Sequence, residues 1–272
     1  MNNENKNLNE TDDFSKVPVL SVVMPAFNEE ATLSQIVKKI LQVPNLLELI
    51  IVDDCSTDRT PQIARELSGR DERIRYVRQT KNGGKTEALK TGFALTRGAI
   101  VIIQDADLEY DSAEIADVIE PILSGYADVV YGSRFMVRKA TRVLYFYHYL
   151  ANKGLTFFSN CLTNLNMTDI ETCYKAFRGD VIRNLIITSS GFGFEVEVTA
   201  KIAKLGCMIY EVPISYYGRT YEEGKKIGYK DGVAALWYIV KFNLIVSLEN
   251  SFRVIPKTLS ARNSEVLLNS NE

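Results

Sequence analysis

The chain has 272 residues, 46% of them hydrophobic and 24% charged, which is too apolar for wholesale disorder and long enough for one large α/β domain. A formal net charge of −2 offers no basis for a nucleic-acid surface. His148 is the only histidine, and Cys55, Cys161, Cys173 and Cys207 lie far apart without a Cys-x-x-Cys spacing, so a histidine triad, a zinc site and a disulfide framework are all argued against and reduced thiols are expected.

Residues 1–16 are rich in Asn, Glu and Asp, lack the apolar core of a signal peptide, and read as a flexible segment. Val19–Met24 is an apolar run of the kind found in buried parallel strands. Glu30–Gln42 carries Leu33, Ile36, Val37, Ile40 and Leu41 on one helical face. Leu47–Val52 reads as a second buried strand, and Asp58–Leu67 as a helix with Pro61 in its first turn, where the missing N–H costs least. Ile74–Arg78 is a strand, Thr86–Thr96 a helix, Ala99–Ile103 a strand, Ser112–Leu123 a helix and Asp128–Tyr131 a strand. This alternation predicts a doubly wound, mainly parallel sheet with helices on both faces. Val143–Leu162 is aromatic and apolar with few charges, Phe194–Leu205 reads as a helix, Met208–Val212 as a strand and Asp231–Leu248 as a helix carrying Trp237. The expected division is a domain over 17–250, with a nucleotide-binding half to residue 134 and an acceptor- or membrane-facing half after it, and a flexible tail over 251–272. No uninterrupted apolar run of about 18 residues predicts a membrane span.

Ligands of such sheets bind beyond the carboxyl ends of the strands. Five clusters are candidates on that rule. Asp105-Ala106-Asp107-Leu108-Glu109 follows the fourth strand: a hard divalent cation would satisfy acids spaced in this way, whereas caps of the next helix or solvated acids are the bland alternative. Asp53 and Asp54 follow the second strand, where a carboxylate can accept from a nucleobase or ribose, while Ser56 or Asp58 caps the next helix. Pro25, Ala26, Asn28 and Glu29 turn the chain after the first strand, with Asn28 alternatively an N-cap. Lys81-Asn82-Gly83-Gly84-Lys85 allows close backbone approach and offers cations to phosphate, or is simply a flexible basic turn; it is not a P-loop. Arg134, Lys175, Arg178, Arg219, Lys225 and Lys226 are cations in apolar or glycine-containing contexts that suit anions, or a solvated surface.

The segments VVMPAFNEE, IIVDDCSTDRT, KNGGKTEALKTGF, IVIIQDADLEYD, VVYGSRF, TDIETCYKAFRGD, FGFEVEVTAKI and EVPISYYGRTYEEGKKI, in this order, resemble family 2 inverting glycosyltransferases of the GT-A fold, in particular polyprenyl- and dolichyl-phosphate sugar transferases. The resemblance spans roughly Leu20 to Leu248. It implies transfer of a hexose from a UDP- or GDP-sugar to a polyprenyl phosphate, with Mg²⁺ or Mn²⁺ as cofactor. It places Pro25, Ala26, Asn28, Glu29, Asp53, Asp54, Lys85, Asp105, Ala106 and Lys226 in the nucleotide-sugar site. Asp105, Asp107 and Glu109 would hold the metal, Arg134 and Lys175 would face the phosphates of donor and acceptor, and Arg219 with Lys226 would close over the donor. An already ionised phosphate acceptor needs no strong base; a hydroxyl acceptor would, and Asp169 or Glu195 would then serve. Thr86 and Lys175 depart from the family pattern. A Gln-x-x-Arg-Trp motif is missing, since Trp237 follows Ala235-Leu236, which disfavours the processive synthases.

The lipid acceptor implies work at the cytoplasmic face of a membrane, through the peripheral contact of Val143–Phe158 and Val233–Val246 or through a membrane partner, the same stretches being alternatively core or a homo-oligomer contact. The rival readings are a transferase acting on a soluble glycan, protein or small molecule, a non-catalytic nucleotide-sugar sensor, and a nucleotidyltransferase, which would carry a glycine-rich basic loop where PAFNEE stands.

Overall fold

The computed structural model describes residues 18–136, 145–191, 193–218 and 229–256. Its first part alternates β1 (Leu20–Ala26), α1 (Leu33–Ile40), β2 (Leu46–Asp53), α2 (Thr60–Ser68), β3 (Ile74–Arg78), α3 (Lys85–Leu95), β4 (Ile100–Ile103), α4 (Ile115–Leu123) and β5 (Val129–Ser133). There follow α5 (Phe146–Thr163), β6 (Lys175–Arg178), α6 (Gly179–Asn184), α7 (Phe194–Leu205), β7 (Ile209–Pro213) and α8 (Tyr229–Val240), which continues as a π-turn over Lys241–Ile245.

The strands form one sheet in the order β3-β2-β1-β4-β6-β5-β7. Every neighbouring pair is parallel except those made by β6, which runs antiparallel to β4 and β5. The strands are apolar on both faces because helices cover both. Leu20, Val22 and Met24 of β1 join one core with α1 and α4, whereas Val23 joins Val101, Ile103 and Phe177 in the other, with α3 and α7.

Pro25 sits within β1 without disrupting the ladder. Val19 and Val23 face β4, accepting from Ile100 and Gln104, so the absent N–H of residue 25 would also face β4; that strand has already ended opposite Val23.

β6 was not anticipated, because its four residues KAFR were read for their cations although Ala176 and Phe177 are wholly buried. Being antiparallel, it starts at the edge where the parallel strands end, and this carries the loop over 164–174 to that edge. Both expected halves contribute to one sheet, since β6 and β7 complete the sheet that β1–β5 begin. The boundary expected at 251 also falls inside packed structure: Ser251 and Phe252 are buried, and Phe252 bridges Leu185. The first helix is shorter than its apolar pattern, starting at Leu33 rather than Glu30, because residues 28–30 give their backbone N–H groups to the side chains of a neighbouring loop.

Candidate active site at the carboxyl edge

The loops after β1 and β2 are laced together by side chains. The N–H groups of Asn28, Glu29 and Glu30 donate to Ser56 Oγ (3.0 Å), Thr60 Oγ1 (2.8 Å) and Asp58 Oδ2 (3.1 Å). In return Asn28 Oδ1 accepts from the N–H of Thr57 at 2.9 Å, and Glu30 Oε2 from that of Arg59 at 2.9 Å. Asn28, Cys55 and Leu108, in the loops after β1, β2 and β4, all have positive φ, at 55°, 63° and 65°. Such backbone is costly for residues other than glycine and persists where surrounding bonds enforce it, commonly at functional sites.

Asp53 and Asp54 take different parts. Asp53 is fully buried, and its carboxylate accepts from the Ser56 N–H (2.8 Å) and the Tyr76 hydroxyl (3.0 Å) while pairing with Arg78 Nε (3.3 Å). It shapes the turn, and its oxygens point at the protein's own donors. Asp54 accepts from the N–H groups of Gly83 (2.8 Å) and Gly84 (2.7 Å), so it pins the glycine turn that starts α3. Gly84 has φ 81° and ψ 171°, a conformation open essentially to glycine alone. Thr86, the departure noted in the sequence, donates its hydroxyl to the carbonyl of Gly191 at 2.9 Å and so docks the loop before α7 onto this turn.

Beyond the glycines, Lys85 Nζ reaches the Asp105 carboxylate at 2.7 Å and Cys173 Sγ at 2.8 Å. Burial disfavours the ammonium, but Asp105, with Cys173 and Glu195 behind it, outweighs this and holds Lys85 well above its ordinary range. Burial, with Asp105, pushes the Cys173 thiol up, so it is a neutral partner.

The three acids expected to hold a metal are dispersed. Asp105 is paired with Lys85, Glu109 Oε2 accepts from Tyr216 OH at 2.7 Å, and no group of three His, Cys, Asp or Glu side chains forms a ready metal cage among the described residues. Asp107 lines a cleft of about 480 Å³ with Asn28, Glu29, Glu30, Ala31, Thr32 and Asp58. That donor set does suit a hard cation that keeps most of its ligands from elsewhere. Mg²⁺ is commonly held by one or two carboxylates plus substrate phosphates, and four acids around one cleft leave a diphosphate poorly received without a cation to offset them.

The expected cations within the described residues are engaged by the protein itself. Arg134 grips Asp169 with a two-pronged pair, Nε–Oδ2 and Nη2–Oδ1 both 2.7 Å, and adds its own backbone N–H at 3.1 Å. Burial opposes charge on both groups, yet each holds the other ionised, Asp169 below the usual carboxylate range, which makes it a weak base. Lys175 is fully buried under the loop, its ammonium bonded to the carbonyls of Ile170 (3.0 Å) and Thr172 and lying 4.8 Å from the Tyr131 ring centre; burial pulls it below its ordinary range. Arg178 pairs with Asp128 and Asp180 at the far end of β6. Arg219, Lys225 and Lys226 lie outside the described residues. Glu195, in the first turn of α7, is buried with Oε1 3.9 Å from Cys173 Sγ.

The glycosyl transferase family 2 model matches residues 21–186, which contain every strand end just described except that of β7. The chain belongs to glycosyl transferase family 2. Among relatives of this glycosyltransferase, the low-salt glycan biosynthesis hexosyltransferase Agl6 of Haloferax volcanii is 30% identical over 237 residues, which is 86% of this chain but 55% of that protein. The undecaprenyl-phosphate mannosyltransferase of Micrococcus luteus is 29% identical over 217 residues, 76% of this chain and 86% of that one. The same GT-A architecture is found in glucosyl-3-phosphoglycerate synthase from Mycobacterium tuberculosis, solved with Mn²⁺, uridine diphosphate and phosphoglyceric acid: TM-score 0.65 at 21% identity, covering 85% of this chain and 80% of that one.

Sequence reasoning passed over Glu171, Tyr110 and Tyr216. Tyr110 OH accepts from the Cys173 N–H at 3.1 Å, and its ring stacks on Tyr174 and packs on Tyr216, joining the acidic loop to the one before β6. The available signal for Glu171 was an acid set in the middle of TDIETCYK, just before a buried strand.

Proposed function

We propose that this glycosyltransferase moves a hexose from a UDP- or GDP-sugar to a polyprenyl phosphate, with inversion at the anomeric carbon. The observation that carries the donor side is the cleft at the carboxyl edge, with Asp107 on one wall and the laced Asn28–Thr32 turn on the other. Pro25, Ala26, Asn28 and Glu29 would receive the nucleotide, and Asp54 would act through the glycine turn it holds. Asp107 would hold Mg²⁺ or Mn²⁺ together with diphosphate oxygens, Asp105 and Glu109 being committed to Lys85 and Tyr216. A divalent cation there supplies charge neutralisation to the departing nucleoside diphosphate. Lys85, fixed beside Asp105, adds a second positive charge on the same side. An ionised acceptor phosphate oxygen attacks the anomeric carbon from the opposite face as the bond to the diphosphate breaks, and no proton has to be removed first.

The acceptor is supported by the micrococcal relative, an undecaprenyl-phosphate mannosyltransferase, and by the surface. α5 and α8 pack together and leave Phe146 (67% exposed), Tyr147 (81%), Trp237 (57%) and Leu244 (67%) in the open, with Leu150, Phe157, Val233 and Leu236 beside them. Neither the span 146–163 nor 232–248 contains an acid, and each carries a lysine, Lys153 and Lys241. An apolar, aromatic face carrying these cations suits an anionic lipid surface. No helix among the described residues is long and apolar enough to cross a membrane, so this face would lie on the cytoplasmic leaflet or against a membrane partner.

The test is a turnover screen of UDP- and GDP-sugars with Mn²⁺ or Mg²⁺, with and without a short polyprenyl phosphate. Lipid-dependent release of one nucleoside diphosphate is expected, lost to below a hundredth of wild type in Asp107→Asn. Release driven equally by soluble sugars would overturn the acceptor assignment, and binding without release by any acceptor would favour the sensor reading. Full metal-dependent turnover in Asp107→Asn would refute the metal role.

A further inference from the structure

The chain provides donors for nearly every buried carboxylate around the site. Asp53, Asp54, Glu114 and Asp169 all accept from neighbouring N–H or O–H groups. Among the described residues, two carboxylate oxygens are buried with no donor: Glu171 Oε1 and Glu195 Oε2. Leaving a buried acceptor unsatisfied costs about 1–3 kcal/mol, more for a charged one, so these two call for an explanation; Glu171 stands two residues before Cys173, whose sulfur is 3.9 Å from Glu195 Oε1.

Both sit where a ligand can be held rather than where packing left a gap. Glu171 is in the loop before β6, which is fixed on one side by the Arg134–Asp169 pair and on the other by Tyr110 OH on the Cys173 N–H, with Lys175 bonded to the carbonyls of Ile170 and Thr172 beneath. Glu195 comes from the opposite side, in the first turn of α7, where the helix N-terminus favours negative charge. Cys173 links them towards the acidic loop after β4: its sulfur touches Glu195 on one side and Lys85 on the other, and Lys85 holds Asp105, two residues before the cleft-lining Asp107. Glu195 is 4% exposed while Glu171 is partly exposed, so Glu171 is the more accessible of the two.

Building on the reading of the site as a nucleotide-sugar transferase, we infer that Glu171 and Glu195 form a carboxyl pair that binds a hydroxyl of the transferred hexose. Burial and the charge of Glu195, opposed by Lys175 and Arg134 and reinforced by Asp169, push the Glu171 carboxyl up to about 7, so near neutral pH its protonated form is well populated. A protonated Glu171 carboxyl beside the acceptor oxygens of Glu195 presents a donor and acceptors together, which matches a hydroxyl, itself both donor and acceptor. A phosphate oxygen offers acceptors only and is repelled by Glu195. The pair therefore belongs to the sugar end of the donor, with Lys85 marking the change to the phosphate end.

The test compares ligands that differ only in the sugar. The wild-type chain, Glu171→Gln and Glu195→Gln would be titrated with UDP-glucose against UDP and GDP-mannose against GDP, in Mn²⁺, by calorimetry, with thermal melts to confirm that each variant folds. For the nucleotide pair that wild type binds, the expected result is a roughly tenfold weaker Kd for the nucleotide-sugar and a change under about twofold for the bare diphosphate. Equal losses for sugar-bearing and bare ligand, or no loss for either, would overturn the pair's role while leaving the transferase reading intact. So would an unchanged nucleotide-sugar affinity accompanied by slower transfer to a hydroxyl acceptor, which would put the pair on the acceptor. Wild type binding none of the four would overturn the nucleotide-sugar reading, and the pair's role with it.

Discussion

Replacing Asp169 by asparagine tests the most closely engaged ion pair of the site. The carboxylate is fully buried and receives three bonds from Arg134, two at 2.7 Å from the guanidinium and one at 3.1 Å from the backbone, and the arginine side chain is only 9% exposed. Breaking a buried pair by removing one charge costs roughly 3–5 kcal/mol, because the other charge stays behind without a partner. Asparagine keeps one acceptor oxygen, so the expected cost is near the lower end, about 3 kcal/mol, or roughly 6–12 °C in Tm for a domain of this size. Removing both partners as Arg134→Met with Asp169→Leu should cost about 1–3 kcal/mol less than the two single changes added together. The loss also has a pH signature. The folded-state carboxyl lies below its unfolded value near about 3.9, so the pair's contribution is complete above that pH and fades as pH falls through the folded pKa; the gap between wild type and Asp169→Asn should begin to narrow below about pH 4. Urea unfolding followed by far-ultraviolet dichroism at pH 7 and pH 3.5 measures all of this. A cost under about 1 kcal/mol, additive single changes, or a gap no narrower at pH 3.5 than at pH 7 would sink the assignment of Arg134 to loop-holding.

Two further expectations follow from packing and surface. A Cβ at Gly92 would lie 2.3 Å from Val23 Cγ1, so Gly92→Ala should overpack α3 against β1 and cost roughly 1–3 kcal/mol in urea unfolding, with partial recovery when Val23→Ala is added; no recovery would mean that the clash is not the cause. Leu236→Glu with Trp237→Glu should cut co-sedimentation with phosphatidylglycerol vesicles at least tenfold without moving the melting temperature by more than a degree or two, since both side chains are substantially exposed; unchanged sedimentation would remove α8 from the membrane face.

The sheet was legible because both its faces are buried: the runs VLSVVM, LELIIV and AIVII carry no alternation, and each ends at a cluster of polar residues, so strand, edge and candidate ligand positions could be read together. β6 was not legible, since four residues bounded by Lys175 and Arg178 look like a basic turn until Ala176 and Phe177 are seen to be buried. The same limit governs the site. Residue type and position showed that Asp53, Asp105, Arg134 and Lys175 were chemically committed to the edge of the sheet, but not to which partner. A carboxylate after a strand reads alike whether it awaits a ligand or accepts from Ser56, Tyr76 and Arg78, and the partners of Lys85 lie 20 and 88 residues away along the chain.

That division of labour bears on how the site works. Asp54 holds the glycine turn, Asp53 the turn after β2, Arg134 the loop before β6, and Lys175 the same loop from beneath. Each charge spent in this way fixes backbone at the carboxyl edge, where Asn28, Cys55 and Leu108 also stand at positive φ. Rigid loops reduce the ordering needed when a charged substrate arrives, so the fixed dipoles and charges can stabilise a leaving diphosphate without first being rearranged. On the proposed reading, the acids left with work to do are the cleft-lining Asp107, for the phosphates, and Glu171 with Glu195, each with a buried oxygen lacking a donor, for the sugar. A chain that invests buried ion pairs in holding loops, yet leaves those two oxygens without donors, would on that reading receive a hydroxyl at one point and charge at the other.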